Sequence, residues 1–237
     1  MLITAISNLH GFLPEGLPSA DVLIIAGNVF NYDANIPLHE KLVEQYLHRE
    51  VSFNGWIARQ LNFFDKIIMT WGFADILPYV ISTTKKESKL QKIFQESGSL
   101  PYSQHRVAIL KDKAYQFRSI KFYASPWNIG ATNFGFGTSE ARLKTDVWPH
   151  IPKDTNVLIT SEAALGFVDS QLGSQSLTNT IATMTQLKMH VSGTIHRNIV
   201  RRMKNGMISA NVSYTYYDSP DKGYLPGEAK ILSWEIK

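Results

Sequence analysis

The stretch Asp21-Val22-Leu23-Ile24-Ile25-Ala26-Gly27-Asn28 decides the fold. Val22 to Ala26 are apolar without interruption, and Gly27 stops the run. So short an apolar run ended by glycine reads as a β-strand covered on both faces. Lys66-Ile67-Ile68-Met69-Thr70 before Trp71-Gly72 repeats the pattern, as do Asn156–Thr160 and Met189–Ser192. Leu2–Ile6 reads as a strand ahead of the turn Ser7-Asn8-Leu9-His10-Gly11, and Pro14, Gly16 and Pro18 punctuate the connection to Asp21.

Helical spacing fills part of the remainder. Leu38, Leu42, Val43, Tyr46 and Leu47, then Trp56, Ile57 and Leu61, predict helix between residues 38 and 61, with a break at Ser52–Gly55. Residues 82–99, with Lys85, Lys86, Lys89 and Lys92, read as a solvated helix and loop. Val107–Leu110, Ala114–Phe117 and Ile120–Tyr123 read as short strands. An aromatic loop follows, marked by Pro126, Trp127, Phe134 and Phe136. A helix is expected around Leu177–Leu187, and β-rich runs at Ile199–Met203, Met207–Val212 and Ile231–Ile236. Strands alternating with helices, without repeats or low-complexity linkers, predict one mixed α/β domain over residues 1–237.

Composition removes several classes of function. Among 237 residues there is no cysteine, which excludes a disulfide scaffold, a thiolate metal site and a cysteine nucleophile. A charged fraction of 19% with 11% aromatics does not fit a disordered chain. The net charge of +4 implies only a mild attraction to acidic partners. No Lys or Arg precedes Lys41, so no secretory signal or transit peptide is visible, and no apolar run is long enough to cross a bilayer. A soluble protein of the cytoplasm or an organellar matrix is expected, without membrane insertion.

Chemistry is expected where strands end in glycine and polar turns: Asn8-Leu9-His10-Gly11, Gly27-Asn28, Gly72-Phe73-Ala74-Asp75 and Gly193-Thr194-Ile195-His196. In order and spacing these resemble the calcineurin-like metallophosphoesterases, whose motifs run Asp-x-His, Gly-Asp, Gly-Asn-His-Asp/Glu, a lone His, and Gly-His-x-His. Tyr123-Ala124-Ser125-Pro126-Trp127, the Asn133–Gly137 loop, Trp148 with Ile151-Pro152, and Leu165-Gly166-Phe167-Val168-Asp169 are similar to the metallophosphoesterase-domain-containing branch found in animals. The resemblance implies an α/β fold in which a metallophosphoesterase-like β-sandwich is flanked by helices, in α/β/β/α layers.

The departures carry the functional reading. The family's two metal-binding carboxylates match Asn8 and Asn28, its Asn ligand matches Phe73, and its leaving-group His matches Ala74. The lone His matches Ser161, and the first His of the last motif matches Thr194; His10 and His196 alone remain. Two divalent ions about 4 Å apart repel and need anionic ligands. An amide oxygen brings no charge and cannot bridge them as a carboxylate does. No metal and no cofactor are therefore expected, and His10 and His196 are expected to hydrogen-bond to backbone and to Asn8 or Asn28. A mononuclear site of His10, His196 and Glu162, with Asp75 on the same rim, is the metal-binding alternative.

The expected function is a catalytically inactive scaffold or accessory subunit, with other protein subunits as partners. Nucleic acid is a further possible partner through Arg197, Arg201, Arg202 and Lys204. The alternatives are a nucleotide- or phosphate-binding module using Arg197, Trp127 and Glu162, or a weak mononuclear metal-dependent phosphoesterase using His10, His196 and Glu162. Ser161 lacks the Gly-x-Ser-x-Gly surroundings of a nucleophile elbow.

Overall fold

The computed structural model describes residues 1–33, 35–83, 105–130, 135–169, 171–193, 195–219, 223–227 and 229–233. The first sheet is built from β1 (Leu2–Ile6), β2 (Ala20–Ala26), β3 (Phe64–Thr70) and β4 (Val107–Ile109), all parallel, with β15 (Lys230–Ser233) antiparallel on β1. The second has the order β11-β12-β10-β9-β6-β5. Its parallel centre is β6 (Ile120–Ser125), β9 (Val157–Thr160), β10 (Met189–Ser192) and β12 (Ile208–Val212). The antiparallel strands β5 (Lys113–Phe117) and β11 (Asn198–Arg202) form its edges.

Three apolar layers explain the continuous runs. Val22, Ile24 and Ala26 of β2 face Phe122 and Ala124 of β6 and Val191 of β10 between the sheets. Leu23 and Ile25 point the other way, onto Phe53, Trp56 and Ile57. The outer face of the second sheet, through Tyr123 and Leu158, is covered by Leu143, Trp148, Leu177 and Ile181. Successive side chains of a strand point to opposite faces, so a strand buried in two layers must be apolar throughout. The expected α/β/β/α sandwich is the architecture observed.

Some elements differ from expectation. The segment 38–60 does not break: α1 (Leu38–His48) passes through a π-helical turn, Arg49–Phe53, into α2 (Asn54–Gln60), with Arg49 and Asn54 both right-handed helical. Ser52 lies in that turn, so the disruption takes the form of a π-bulge. The helix expected at Leu177–Leu187 is shorter and earlier, Gln175–Ala182, capped by the Ser174 hydroxyl accepting from Leu177 N–H at 3.0 Å. An unanticipated α3 spans Ile76–Thr83, whereas the expected solvated helix at 82–99 falls almost wholly outside the described residues. So does Phe134. Two further unanticipated ladders are β7 (Asn128–Ile129) with β8 (Gly137–Thr138), and the hairpin of β13 (Thr215–Ser219) and β14 (Gly223–Pro226).

Three apolar residues of α1 are turned outward. Leu38, Val43 and Leu47 are more than half exposed, whereas Lys41 and Gln45 are buried. The inner side of α1 faces loop backbone, which needs polar partners. Gln45 Nε2 donates to Asn31 O at 3.1 Å and Ala74 O at 2.8 Å, and Gln45 Oε1 accepts from Leu77 N–H at 2.9 Å. His48 Nε2 meets Gly11 O at 3.0 Å. One polar helix face thus ties together three strand-end loops.

Candidate functional site

The carboxyl ends of the parallel strands of both sheets meet along one rim. Ser7 N–H donates to Val212 O and Tyr214 N–H to Ser7 O, each at 2.8 Å, which joins the end of β1 to the end of β12. Asn8, His10 and Asn28 take left-handed backbone angles, with φ of 50°, 44° and 56°. Asn and His tolerate that region better than most residues, which lets the chain turn sharply after β1 and β2.

The rim side chains satisfy one another in a fixed direction. Ala74 N–H can only donate, and it reaches Asn28 Oδ1 at 2.9 Å. Asn28 Nδ2 therefore faces Asn8 and donates to its Oδ1 at 2.8 Å. Asn8 Nδ2 in turn donates to Ser213 Oγ at 2.9 Å and lies 3.4 Å from His196 Nδ1. Thr215 Oγ1 completes the chain by donating to Asn8 O at 2.6 Å. Two carboxylates here would set oxygen against oxygen where an N–H···O bond now stands. Ser161 Oγ accepts from Asn128 Nδ2 at 2.9 Å. A Cβ at Gly72 would lie 2.5 Å from both Asn28 Oδ1 and Ser161 Oγ, so the backbone here closes directly on those two side chains.

The two histidines behave differently. His196 is hydrogen-bonded to Asn8, as the sequence predicts. His10, 8% exposed, has no hydrogen-bond partner on either ring nitrogen among the described residues, contrary to expectation. Instead its ring stacks on Tyr224 of β14, with centroids 4.1 Å apart and planes within 7°. The His196 ring lies 4.7 Å from the same tyrosine and 5.1 Å from His10. Burial, with the like charge of His196 second, pushes His10 down to about 3, so the stack is neutral.

Buried carboxylates clamp backbone on either side. Asp75 is fully buried; its Oδ1 accepts from Val29 and Phe30 N–H, each at 2.9 Å, and its Oδ2 from Gly72 N–H at 2.7 Å. Glu162, 3% exposed, accepts from Ile129 N–H at 2.7 Å and Ala163 N–H at 3.0 Å. Burial raises both acids to about 7, against the downward pull of those N–H donors. Among the described residues, no three His, Asp or Glu side chains converge to hold an ion.

Of the expected ligand contacts, Glu162 and Arg197 line one pocket of about 490 Å³ with His196, Leu172 and Ile195. Trp127 is placed elsewhere: its Nε1 donates to Asp112 Oδ2 at 2.8 Å and its ring packs on Phe136 and Tyr79. Phe73 lies over Gly130, where an added Cβ would strike its ring. Ala74 contributes its backbone alone. Thr194 lies outside the described residues. Sequence reasoning missed Gln45, Ser213, Thr215 and Tyr224, and the only hint of Tyr224 is the aromatic density Tyr214-Thr215-Tyr216-Tyr217 ahead of it.

Over 200 residues the chain is 31% identical to metallophosphoesterase domain-containing protein 1 of Homo sapiens, a match covering 77% of this chain and 56% of that protein. The chain belongs to the calcineurin-like metallophosphoesterase superfamily. The Mus musculus protein of the same name matches with the same figures, so the chain spans just over half the length of these relatives. No protein-family profile matches it. A Danio rerio dimetal phosphatase structure aligns with a TM-score of 0.46 at 7% identity, covering 90% of this chain and 87% of that one. The residues of this chain do not fit the metal pair implied by the superfamily. Asn8 and Asn28 spend their side chains on each other and bring no negative charge, and the Tyr224 ring lies flat on His10.

A buried histidine outside the rim gives a pH test. Thr160 Oγ1 donates to Glu162 O, so His190 Nε2 is the donor in its 2.7 Å contact with that hydroxyl. Its bare Nδ1 is buried without a partner among the described residues, and burial lowers His190 to about 3. A histidine with a depressed folded value loses stability as pH falls below its unfolded value of 6.5. Relative to His190→Gln, the parent should lose about 2 kcal/mol between pH 6.5 and pH 5, as read from denaturant midpoints. A pH-independent difference between parent and variant would contradict the assignment.

Proposed function

We propose that this chain is a non-catalytic member of the superfamily, acting over residues 1–237 as one rigid domain that serves as a scaffold or accessory subunit of a larger protein assembly. The observation that carries this reading is the directed amide chain Ala74–Asn28–Asn8–Ser213, which occupies the positions where anionic ligands would be required. Without those charges, a pair of divalent ions lacks the attraction that offsets their mutual repulsion. Selection on such a protein would act on packing and contact surfaces, in keeping with an intact framework around the altered rim. Such a subunit would work in the cytoplasm or an organellar matrix, and a ribonucleoprotein is one assembly compatible with its mild basicity.

Incubation with bis(p-nitrophenyl) phosphate and Mn²⁺, Fe²⁺, Ni²⁺ or Zn²⁺ should give no turnover above the buffer rate. Turnover abolished by His10→Ala would overturn the reading. Native purification followed by mass spectrometry should recover stoichiometric protein partners. The pocket of Glu162, His196 and Arg197 supports a second reading, a phosphate- or nucleotide-binding module. A thermal-shift screen of nucleotides separates the two, because a ligand at about 100 times its Kd stabilises by about 2.7 kcal/mol.

A further inference from the structure

Among the described residues the outer strand of the second sheet, β11, pairs with β12 alone, in five consecutive register pairs from Asn198–Val212 to Arg202–Ile208 without a bulge. Its closing turn fixes which backbone groups face outward. Met203 N–H donates to Met207 O at 2.8 Å, whereas Ile208 N–H donates away from β11, to Lys188 O at 2.9 Å. Bonded and non-bonded pairs alternate along an antiparallel ladder. Arg201–Ser209 and Ile199–Asn211 are therefore bonded pairs, and the N–H and C=O groups of Val200 and Arg202 point away from β12. Among the described residues no hydrogen bond to those outward groups is recorded.

The side chains set the chemistry of this edge. Ile199 anchors the strand against Ala163, Val168 and Ile195. Val200 is 45% exposed, and Arg197, Arg201, Arg202 and Lys204 are all exposed. Arg197 meets Asp169 at 3.5 Å, but among the described residues no carboxylate lies within ion-pair distance of Arg201, Arg202 or Lys204. Among the described residues Arg201 and Arg202 reach only the carbonyls of Phe167 and Gly206, each at 3.4 Å. Edge strands are commonly blunted by proline, a bulge or charge. Here proline and bulge are both missing from the strand, and only one sign of charge is used. A second β11 would bring the same cations, so self-pairing is opposed. A phosphodiester chain could meet the cations but could not supply alternating N–H and C=O groups at strand spacing.

We propose that β11 receives an acidic, extended segment of a partner protein as an added strand, with its main chain bonded to Val200 and Arg202 and its carboxylates facing the arginines. The inference is independent of what the cleft does.

The probe is a twelve-residue peptide alternating Val and Glu, alongside its Val/Lys counterpart and an oligouridylate of equal length, each titrated into the intact chain. The Val/Glu peptide should bind with an affinity that falls as salt rises, and should slow amide exchange at Val200 and Arg202 by about tenfold or more. Val200→Pro removes one outward N–H while leaving the β11–β12 ladder intact, since proline is tolerated on an edge strand. It should weaken binding about tenfold, as should Arg201→Glu with Arg202→Glu. Equal binding of the Val/Lys peptide, tighter binding of oligouridylate, or unchanged affinity in a folded Val200→Pro variant would each overturn the proposal. If Val200→Pro fails to fold, the exchange rates in the unmodified chain decide, and unprotected Val200 and Arg202 amides in the bound state would refute it.

Discussion

Replacing Asp75 by alanine should lower the melting temperature by about 10 °C, because three buried N–H donors lose their shared acceptor at once. Val29, Phe30 and Gly72 all donate to this one fully buried carboxylate. A hydrogen bond is worth about 0.5–1.5 kcal/mol net, and each donor left unpaired in the interior adds a desolvation cost of about 1–3 kcal/mol. The non-additivity of neighbouring bonds brings the expected total to about 4 kcal/mol. Asp75→Asn should cost less, since its amide oxygen keeps part of the acceptor set. The raised value of about 7 gives the clamp a pH signature. An acid raised on folding contributes stability that is present below its unfolded value and is lost as pH rises through 7. The penalty of Asp75→Ala should therefore be larger at pH 5 than at pH 8. A melting temperature within about 2 °C of the parent would show that the loops are held by something else.

The second large effect concerns the amide chain. Asn8→Asp combined with Asn28→Asp introduces two acids at the rim and sets carboxylate oxygens against each other at the 2.8 Å contact, in a site where Asn8 is fully buried. Like charges this close cannot both ionise, and an uncompensated buried charge costs about 3–5 kcal/mol. The double variant should melt about 10 °C below the parent in the presence of a chelator. Millimolar Mn²⁺ should recover part of that loss, by binding the folded state and screening the two acids, while the parent should not respond. A double variant as stable as the parent in chelator would mean that the Asn8–Asn28 bond contributes little.

How much of this was legible depends on where each side chain's partners lie along the chain. Strand β2 could be read from Val22–Ala26 because its alternate residues enter two different apolar layers, and a run of that length ended by glycine is too short for a buried helix. The placement of Asn8, Asn28, Phe73, Ala74 and Ser161 at the rim could be read as well, since each sits in a turn whose position the strands define. Two things could not be read. Helix α1 shows helical spacing, but that spacing does not say which face turns inward. The inner face meets the backbone of three loops, which favours Gln45 and His48 over Val43 and Leu47. The stacking of Tyr224 on His10 joins the first and last parts of the chain, and no local pattern encodes so distant a contact.

The most direct measurement is the metal content of the unmodified chain after incubation with excess Mn²⁺ and Fe²⁺ and rapid desalting, with the Asn8→Asp, Asn28→Asp double variant carried alongside. The unmodified chain should retain well under one equivalent of either ion. Retention of about two equivalents, lost on His10→Ala, would show that the amides and Tyr224 give way to a metal pair after all.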